Sequence, residues 1–343
     1  MKVLVEAAEK RWMPDGLIRY GIRRQLRDRL RSFPEAFYER KAAVSALVEQ
    51  LKGSPVALST REANEQHYEV PAEFFQLALG PRLKYSCAWY DDSVKTLGEA
   101  EERMLALTCE RAELEDGQSV LELGCGWGSL TLWMAEKYPN SQITGVSNSS
   151  SQRDFILERA RVRGLSNVSI ITADMNAFNE SFQVDRVVSI EMFEHMRNYA
   201  ELMKRISGWL KPGGKLFVHI FTHKEFPYTF DTGDRSGNWM ANTFFTNGIM
   251  PSDNLLLNFQ DHVSLERTWT VDGTHYSKTA EDWLRNTDAN LSRIREIFAD
   301  TYGADSERWV QRWRMFFMAC AELWGYRNGS EWRVVHYLFE RKA

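Results

Sequence analysis

Apolar residues change their spacing near residue 119, and that change divides the chain in two. Over 16–31 (GLIRYGIRRQLRDRLR), Ile18, Ile22, Leu26 and Leu30 recur every four residues with arginines on the other faces, as in an amphipathic helix. A second helix is expected at about 35–52. Residues 58–110 read as largely helical, interrupted by the turn-rich stretch around Gly80 and Pro81. Residues 1–110 are therefore expected to form a helical region. From Ser119 the pattern alternates: SVLELG and a helix over 129–138, SQITGVS and 150–163, VSIITAD, RVVSIEM and 200–210, then KLFVHIF after a Lys211-Pro-Gly-Gly turn. Strands alternating with helices imply an α/β protein with a parallel, doubly wound sheet, expected over 111–343. After Phe221 the rhythm breaks. Residues 224–260 are rich in aromatics, Gly, Asn and Asp, and a lid or substrate insertion over the carboxyl edge is expected at about 224–285. Helix returns over 280–327, and WRVVHYLFER at 332–341 suits a final strand that hairpins back into the sheet.

The first strand runs into Gly124, Gly126 and Gly128 and then the helical SLTLWMAEKY. Glycines at such a turn let backbone approach a ligand that any Cβ would obstruct. A dinucleotide site would show GxGxxG with an acidic residue about 20 positions on. Here the spacing is GxGxG with Glu122 ahead of it, and the second strand ends in Ser147 and Asn148. The stretch resembles the loop of class I S-adenosylmethionine-dependent methyltransferases. That resemblance implies a Rossmann-like fold and an acidic residue, Glu122, steadying the loop near the ligand's ammonium end.

Composition narrows the partners. The 343 residues are 43% hydrophobic and 26% charged with a net charge of −4, and the pI near 6.1 offers no basic face for nucleic acid. Glu6 and Glu9 interrupt the apolar stretch a signal peptide would need. No window approaches the ~18 uncharged apolar residues of a membrane span. The four cysteines are scattered without a CxxC pair, which suggests reduced thiols and a cytoplasmic location. The arginine-rich helix at 16–31 reads as the solvated face of a packing helix, with a homodimer contact or cavity lid as alternatives and membrane-surface docking as the least favoured.

Ligands of open α/β sheets sit at the carboxyl ends of the strands. Strand two delivers Ser147, Asn148 and, one turn on, Gln152, which can hydrogen-bond ribose hydroxyls. Strand three delivers Asp174, placed to accept from an adenine amino group or to cap a helix. Strand four ends SIEMFEHMRNY, where Glu191, Glu194 and His195 can face one cleft. A solvated first helical turn would account for one glutamate. Zinc would need more neutral ligands than His219 and His223 supply, so no metal is expected.

EMFEH, KYSCAWY at 84–90, KPGG at 211–214, FFTNGIMPS at 244–252 and HYSKTAEDW at 275–283 follow one another as in the cyclopropane-fatty-acid-synthase-like methyltransferases. The likeness covers roughly residues 58–340. Within that superfamily the chain most resembles the coclaurine (benzylisoquinoline-type) N-methyltransferases, which carry the leading glutamate of EMFEH and a run like MPSDNLLLNFQ. The resemblance implies S-adenosylmethionine as cofactor, Glu191, Glu194 and His195 as the catalytic trio, and Tyr85 and Ser86 at the cofactor's methionine end.

Two chemistries then compete. For an aliphatic amine with a pKa near 10, only about one molecule in a thousand is neutral at pH 7, a deficit of roughly 4 kcal/mol. A Glu194–His195 pair can bind the ammonium and take its proton, Glu191 can attract the cation, and Trp239, Phe244 and Phe245 can hold the apolar body. For an unsaturated fatty acyl lipid, methylation or cyclopropanation ends in a carbocation that must lose a proton. In the lipid enzymes a bound bicarbonate takes it, in a pocket matching Cys87, Glu194, His219 and Tyr276, with Phe221 where a backbone contact is usual. Glu191 stands where those enzymes carry a small residue, and a second carboxylate would repel the ion. A small-molecule amine is therefore the expected substrate.

Overall fold

The computed structural model describes residues 2–58, 70–230 and 239–342. Part of the helical reading of 58–110 therefore lies outside the described residues. Three helices, α1 (Lys2–Glu9), α2 (Asp15–Arg31) and α3 (Phe37–Lys52), precede α4 (Ala72–Ala78) and α5 (Leu97–Arg111). The interruption expected around Gly80 and Pro81 is longer than that turn and takes up the whole stretch between α4 and α5. Leu83 sits at φ +54°, and the backbone N–H groups of Gly80, Arg82 and Lys84 donate to the buried Glu101 carboxylate of α5 at 2.8–3.1 Å. A side chain thus satisfies what helical carbonyls would otherwise accept. The resulting extended loop carries Lys84–Tyr90 past the carboxyl edge of the sheet.

The sheet alternates as the pattern requires: β1 (Ser119–Leu123), α6 (Ser129–Lys137), β2 (Gln142–Ser147), α7 (Ser150–Val162), β3 (Val168–Thr172), β4 (Val184–Ile190), α8 (Tyr199–Trp209) and β5 (Leu210–His223). β5 begins earlier than KLFVHIF, because Lys211–Gly214 forms an irregularity inside the strand, opposite the register shift between Val184 and Arg186. Strands β6 (Tyr228–Thr229) and β7 (Ile249–Met250) pair with each other, flanking the short α9 (Trp239–Thr243). β8 (Val263–Val271) then joins the main sheet, followed by α10 (Gly273–Ala289), α11 (Leu291–Tyr302), α12 (Ser306–Trp324) and β9 (Trp332–Arg341). The order is β3-β2-β1-β4-β5-β9-β8, with β9 antiparallel to both neighbours. The crossover direction reverses between β1 and β4, so their carboxyl ends open a crevice.

β8 lies inside the stretch expected to be lid. Its alternation is broken by a register shift between Leu265 and Arg267, and as the edge strand it leaves Glu266–Thr268 exposed. A single-period search passes over such a strand.

The central strands of the sheet are buried on both faces. One apolar cluster joins the N-terminal helices to α10–α12 through Ile18, Phe74, Phe75, Trp283, Phe298 and Trp313. Ile22, Leu26 and Leu30 of α2 pack against it. The arginines of that helix are in part structural: Arg19 pairs with Glu281 and Glu322 at 2.6 and 3.0 Å, and Arg314 of α12 reaches back to Asp15 at 2.7 Å. Among the described residues no helix is long and apolar enough to cross a membrane.

Candidate active site

Gly124, Gly126 and Gly128 all take positive φ, at +80°, +52° and +79°. Their missing side chains serve different ends. A Cβ on Gly124 would lie 2.8 Å from Met192, whereas one on Gly126 would meet no protein atom within 4 Å. Gly126 therefore faces open space, and it lines both cavities at this edge of the sheet. Glu122, two residues before the loop, is buried in β1 and accepts from Thr131 Oγ1 at 2.5 Å. Burial pushes its carboxyl up to about 7, against the Thr131 bond and the nearby Lys84 charge.

The smaller cavity, about 70 Å³, is lined by Ser147, Asn148, Gln152 and Asp174 together with Gly124, Gly126 and His195. Ser147 Oγ donates to Gln152 Oε1 at 2.7 Å. Gln152 Nε2 is left buried with no partner, a donor awaiting a ligand acceptor. Asp174 does two things: it lines the cavity, and its Oδ1 accepts from the Asn176 N–H at 2.7 Å, capping the turn after β3.

The larger cavity, about 190 Å³, shares Gly124, Gly126, Gln152 and His195 with the first. Tyr85, Ser86, Glu191, Phe221, Phe245 and Tyr276 line it. So does Lys84, whose role the sequence reading left unassigned although it opens the KYSCAWY run. Lys84 is buried and its Nζ donates to Ser86 Oγ at 2.5 Å. Burial lowers its proton affinity, while Glu191 and other anions nearby raise it.

Glu191 directly follows β4 at φ +49°, a strained backbone for a residue with a side chain. Its N–H donates to the His219 carbonyl at 2.8 Å. The turn sends its carboxylate into a ring of donors from distant parts of the chain. Oε1 accepts from the Cys87 N–H at 3.0 Å and His219 Nε2 at 3.1 Å, and Oε2 from the Tyr276 hydroxyl at 2.6 Å. Glu194, on the single helical turn Phe193–His195, accepts from the Phe221 N–H at 2.8 Å through Oε1, and its Oε2 is buried without a partner. It lines neither cavity. His195 lines both, with its ring 4.8 Å from that of Phe245.

Burial raises the proton affinity of both glutamates, and for Glu194 the Glu191 charge raises it further. Two buried carboxyls so coupled hold one charge more readily than two. Glu191, with three donors and Lys84 nearby, is the better place for that charge, and Glu194, with one donor, for the proton.

The remaining expected pocket residues divide. Cys87 and His219 reach the site only through Glu191. Trp239 and Phe244 stand behind the wall instead of forming it, a correction to the expected pocket. Trp239 Nε1 donates to Glu9 at 2.8 Å, and Phe244 is fully buried among Trp309, Trp313 and Phe316. Aromatic richness in the sequence does not reveal which layer a ring occupies. Phe230, Phe316 and Trp324, not singled out beforehand, line the cavity. Among the described residues no cluster of three His, Cys, Asp or Glu suited to a metal occurs.

A strand–glycine loop–helix with an open position at Gly126, an unpaired amide at Gln152, Asp174 at one end and the buried Glu122 at the other fits an adenosyl amino acid. The fold and the site define an S-adenosylmethionine-dependent methyltransferase. Comparisons agree. The family profile described as mycolic acid cyclopropane synthetase matches residues 57–332. The chain is 40% identical to an (S)-coclaurine N-methyltransferase of Thalictrum flavum subsp. glaucum, over 99% of this chain and 95% of that protein. It is 31% identical to the cyclopropane-fatty-acyl-phospholipid synthase of Escherichia coli K12, over 79% and 66%. A crystal structure of coclaurine N-methyltransferase bound to N-methylheliamine and S-adenosylhomocysteine superposes with a TM-score of 0.95 at 39% identity, covering 98% of this chain and 99% of that one. The chain belongs to the cyclopropane-synthase-like family of S-adenosylmethionine-dependent methyltransferases.

Proposed function

We propose that the chain methylates the nitrogen of a small, alkaloid-like amine, with Glu191 and His195 facing that nitrogen. S-Adenosylmethionine supplies, when bound, an electrophilic methyl group at its sulfonium. The chain's own task is to hold the amine, exclude water and present a neutral nitrogen.

One observation carries the reading over the lipid alternative. The groups that the family resemblance assigns to a bound bicarbonate are already engaged by carboxylates of the chain. Glu191 takes the Cys87 N–H, His219 Nε2 and the Tyr276 hydroxyl, and Glu194 takes the Phe221 N–H. A built-in carboxylate stands where a dissolved ion would be needed. It is suited to receive a proton from an ammonium group, because burial has raised its proton affinity. Aromatic rings from Phe221, Phe245, Tyr276 and Trp324 provide an apolar wall for the body of such a cation. Glu194, behind that wall, holds a proton and so leaves the charge of the pair to Glu191, without touching substrate. This changes the division of labour expected from sequence, in which Glu194 and His195 formed the proton-taking pair.

The test is methyl transfer from labelled S-adenosylmethionine to a panel of cyclic secondary amines, beside unsaturated phospholipid vesicles, in buffers with and without bicarbonate. Amine methylation unaffected by bicarbonate removal is expected. Product on the lipid alone, lost when bicarbonate is stripped out, would overturn the proposal.

A further inference from the structure

Behind Glu191 a line of buried side chains runs away from the cavity. His219 on β5 and His336 on β9 are direct cross-strand partners, and neither ring is exposed. His219 Nε2 meets Glu191 Oε1 at 3.1 Å, His219 Nδ1 meets His336 Nε2 at 2.9 Å, and His336 Nδ1 meets Arg111 Nη1 at 2.8 Å. Every ring nitrogen in the line is used.

A guanidinium can only donate and stays protonated. His336 Nδ1 must therefore accept, which puts the His336 proton on Nε2. That proton in turn makes His219 Nδ1 an acceptor, and the His219 proton sits on Nε2, facing Glu191. Burial holds both imidazoles neutral, as the line requires. Arg111 is kept in place at the end of α5 with its guanidinium 5.2 Å from the Trp269 ring and 5.9 Å from that of Trp89.

We propose that Arg111 is a positioning residue that sets the tautomers of both histidines, so that His219 presents an N–H to Glu191. The consequence has two parts. Glu191 gains a fixed donor that favours its anion, and a proton it has taken cannot leave through His219, whose facing nitrogen already carries one. The proton must leave on the cavity side. This second part rests on the amine reading of the site; the tautomers do not.

The experiment is ¹⁵N–¹H long-range correlation of the imidazoles in histidine-labelled full-length protein, with pH profiles of kcat/KM for a methylated amine. In the wild type, His219 and His336 should both be neutral Nε2–H tautomers from pH 6 to 9. In Arg111→Met, His336 should become a mixture of tautomers. The acid limb of kcat/KM should rise by about one pH unit, as expected when a carboxylate loses one fixed donor. Arg111→Lys, also donor-only, should restore both readouts. Should Arg111→Met fail to fold, Arg111→Gln serves, because its amide can accept as well as donate and should also mix the tautomers. The other ionisable groups facing Glu191 stay in every variant: Lys84 and Cys87 from the loop before α5, Glu194 and His195 after β4, Tyr276 on α10 and Cys320 on α12. A folded variant without the guanidinium that keeps both Nε2–H tautomers would overturn the proposal. Mixed tautomers with an unmoved acid limb would overturn its effect on Glu191. The expected tautomers in a protein that methylates no amine would sink the amine reading alone.

Discussion

The sharpest consequence of the site concerns two glutamates three residues apart that should respond differently to the same substitution. Glu191 faces the cavity with three donors, and Glu194 lies behind it with one. If Glu191 carries the charge and Glu194 the proton, Glu194→Gln replaces a carboxylic acid with a near-isostere that can keep the Phe221 N–H bond. Its turnover should fall by less than about tenfold. Glu191→Gln removes the base. At pH 7 solvent supplies only about one neutral amine in a thousand, so the loss should approach ~10³-fold, roughly 4 kcal/mol. The sign of the pH dependence follows. The neutral fraction grows tenfold per pH unit below the amine's pKa, so the Glu191→Gln deficit should shrink to ~10-fold near pH 9 and vanish near pH 10. Initial rates with labelled cofactor from pH 6.5 to 10, with melting temperature recorded at each pH, make the comparison. A Glu191→Gln deficit that stays constant with pH would refute the assignment. So would a folded Glu194→Gln variant as impaired at pH 7 as Glu191→Gln.

Two further outcomes test the cofactor end. Gly126→Val should abolish binding of S-adenosylhomocysteine in calorimetry while far-UV circular dichroism stays native, because the added side chain meets no protein atom within 4 Å and its strain at φ +52° costs only about 1–3 kcal/mol; unchanged affinity would show that the loop does not approach the ligand. Glu122 is raised from the ordinary 4.5 to about 7 by burial, so the folded state binds its proton more tightly than the unfolded state. Its stabilising contribution is present below about pH 4.5 and is lost as pH rises to about 7, by up to roughly 3 kcal/mol. Glu122→Gln in the ligand-free protein should therefore match wild type near pH 4 and melt higher at pH 8, with weaker cofactor binding; a pH-independent difference in melting temperature would contradict the burial argument.

What the sequence revealed depended on how local each feature was. The glycine loop, the parallel strands and the EMFEH turn are contiguous and regular in period, and they were legible. β8 was not, because its bulge interrupts the alternation and one face is open to water. The break at Gly80 and Pro81 was legible but the length of the loop between α4 and α5 was not, because its backbone donors find their acceptor on Glu101, about twenty residues further on. The family resemblance did group Cys87, His219 and Tyr276, but around Glu194, and it set Glu191 with Glu194 and His195 instead. It could not tell which atom meets which, since those residues come from separate elements whose meeting is a property of the sheet order.

That meeting also explains why a glutamate tolerates so costly a position. A side-chain-bearing residue at φ +49° stores on the order of 1 kcal/mol or more of strain, and its buried carboxylate adds desolvation. Both costs are offset only if the carboxylate finds donors, and it finds three, one of them oriented through His336 by Arg111. A smaller residue at 191 would relieve the crowding of two acids yet leave the Cys87 N–H, His219 Nε2 and Tyr276 hydroxyl buried and unpaired, at roughly 1–3 kcal/mol each unless water or an anion entered. The same ring of donors can thus be completed in two ways, by an ion from solution or by a carboxylate of the chain. In this chain Glu191 completes it; under the proposed amine reading, that ties the proton acceptor to the backbone at the sheet's switch point and leaves the cavity beside it free for a cationic substrate.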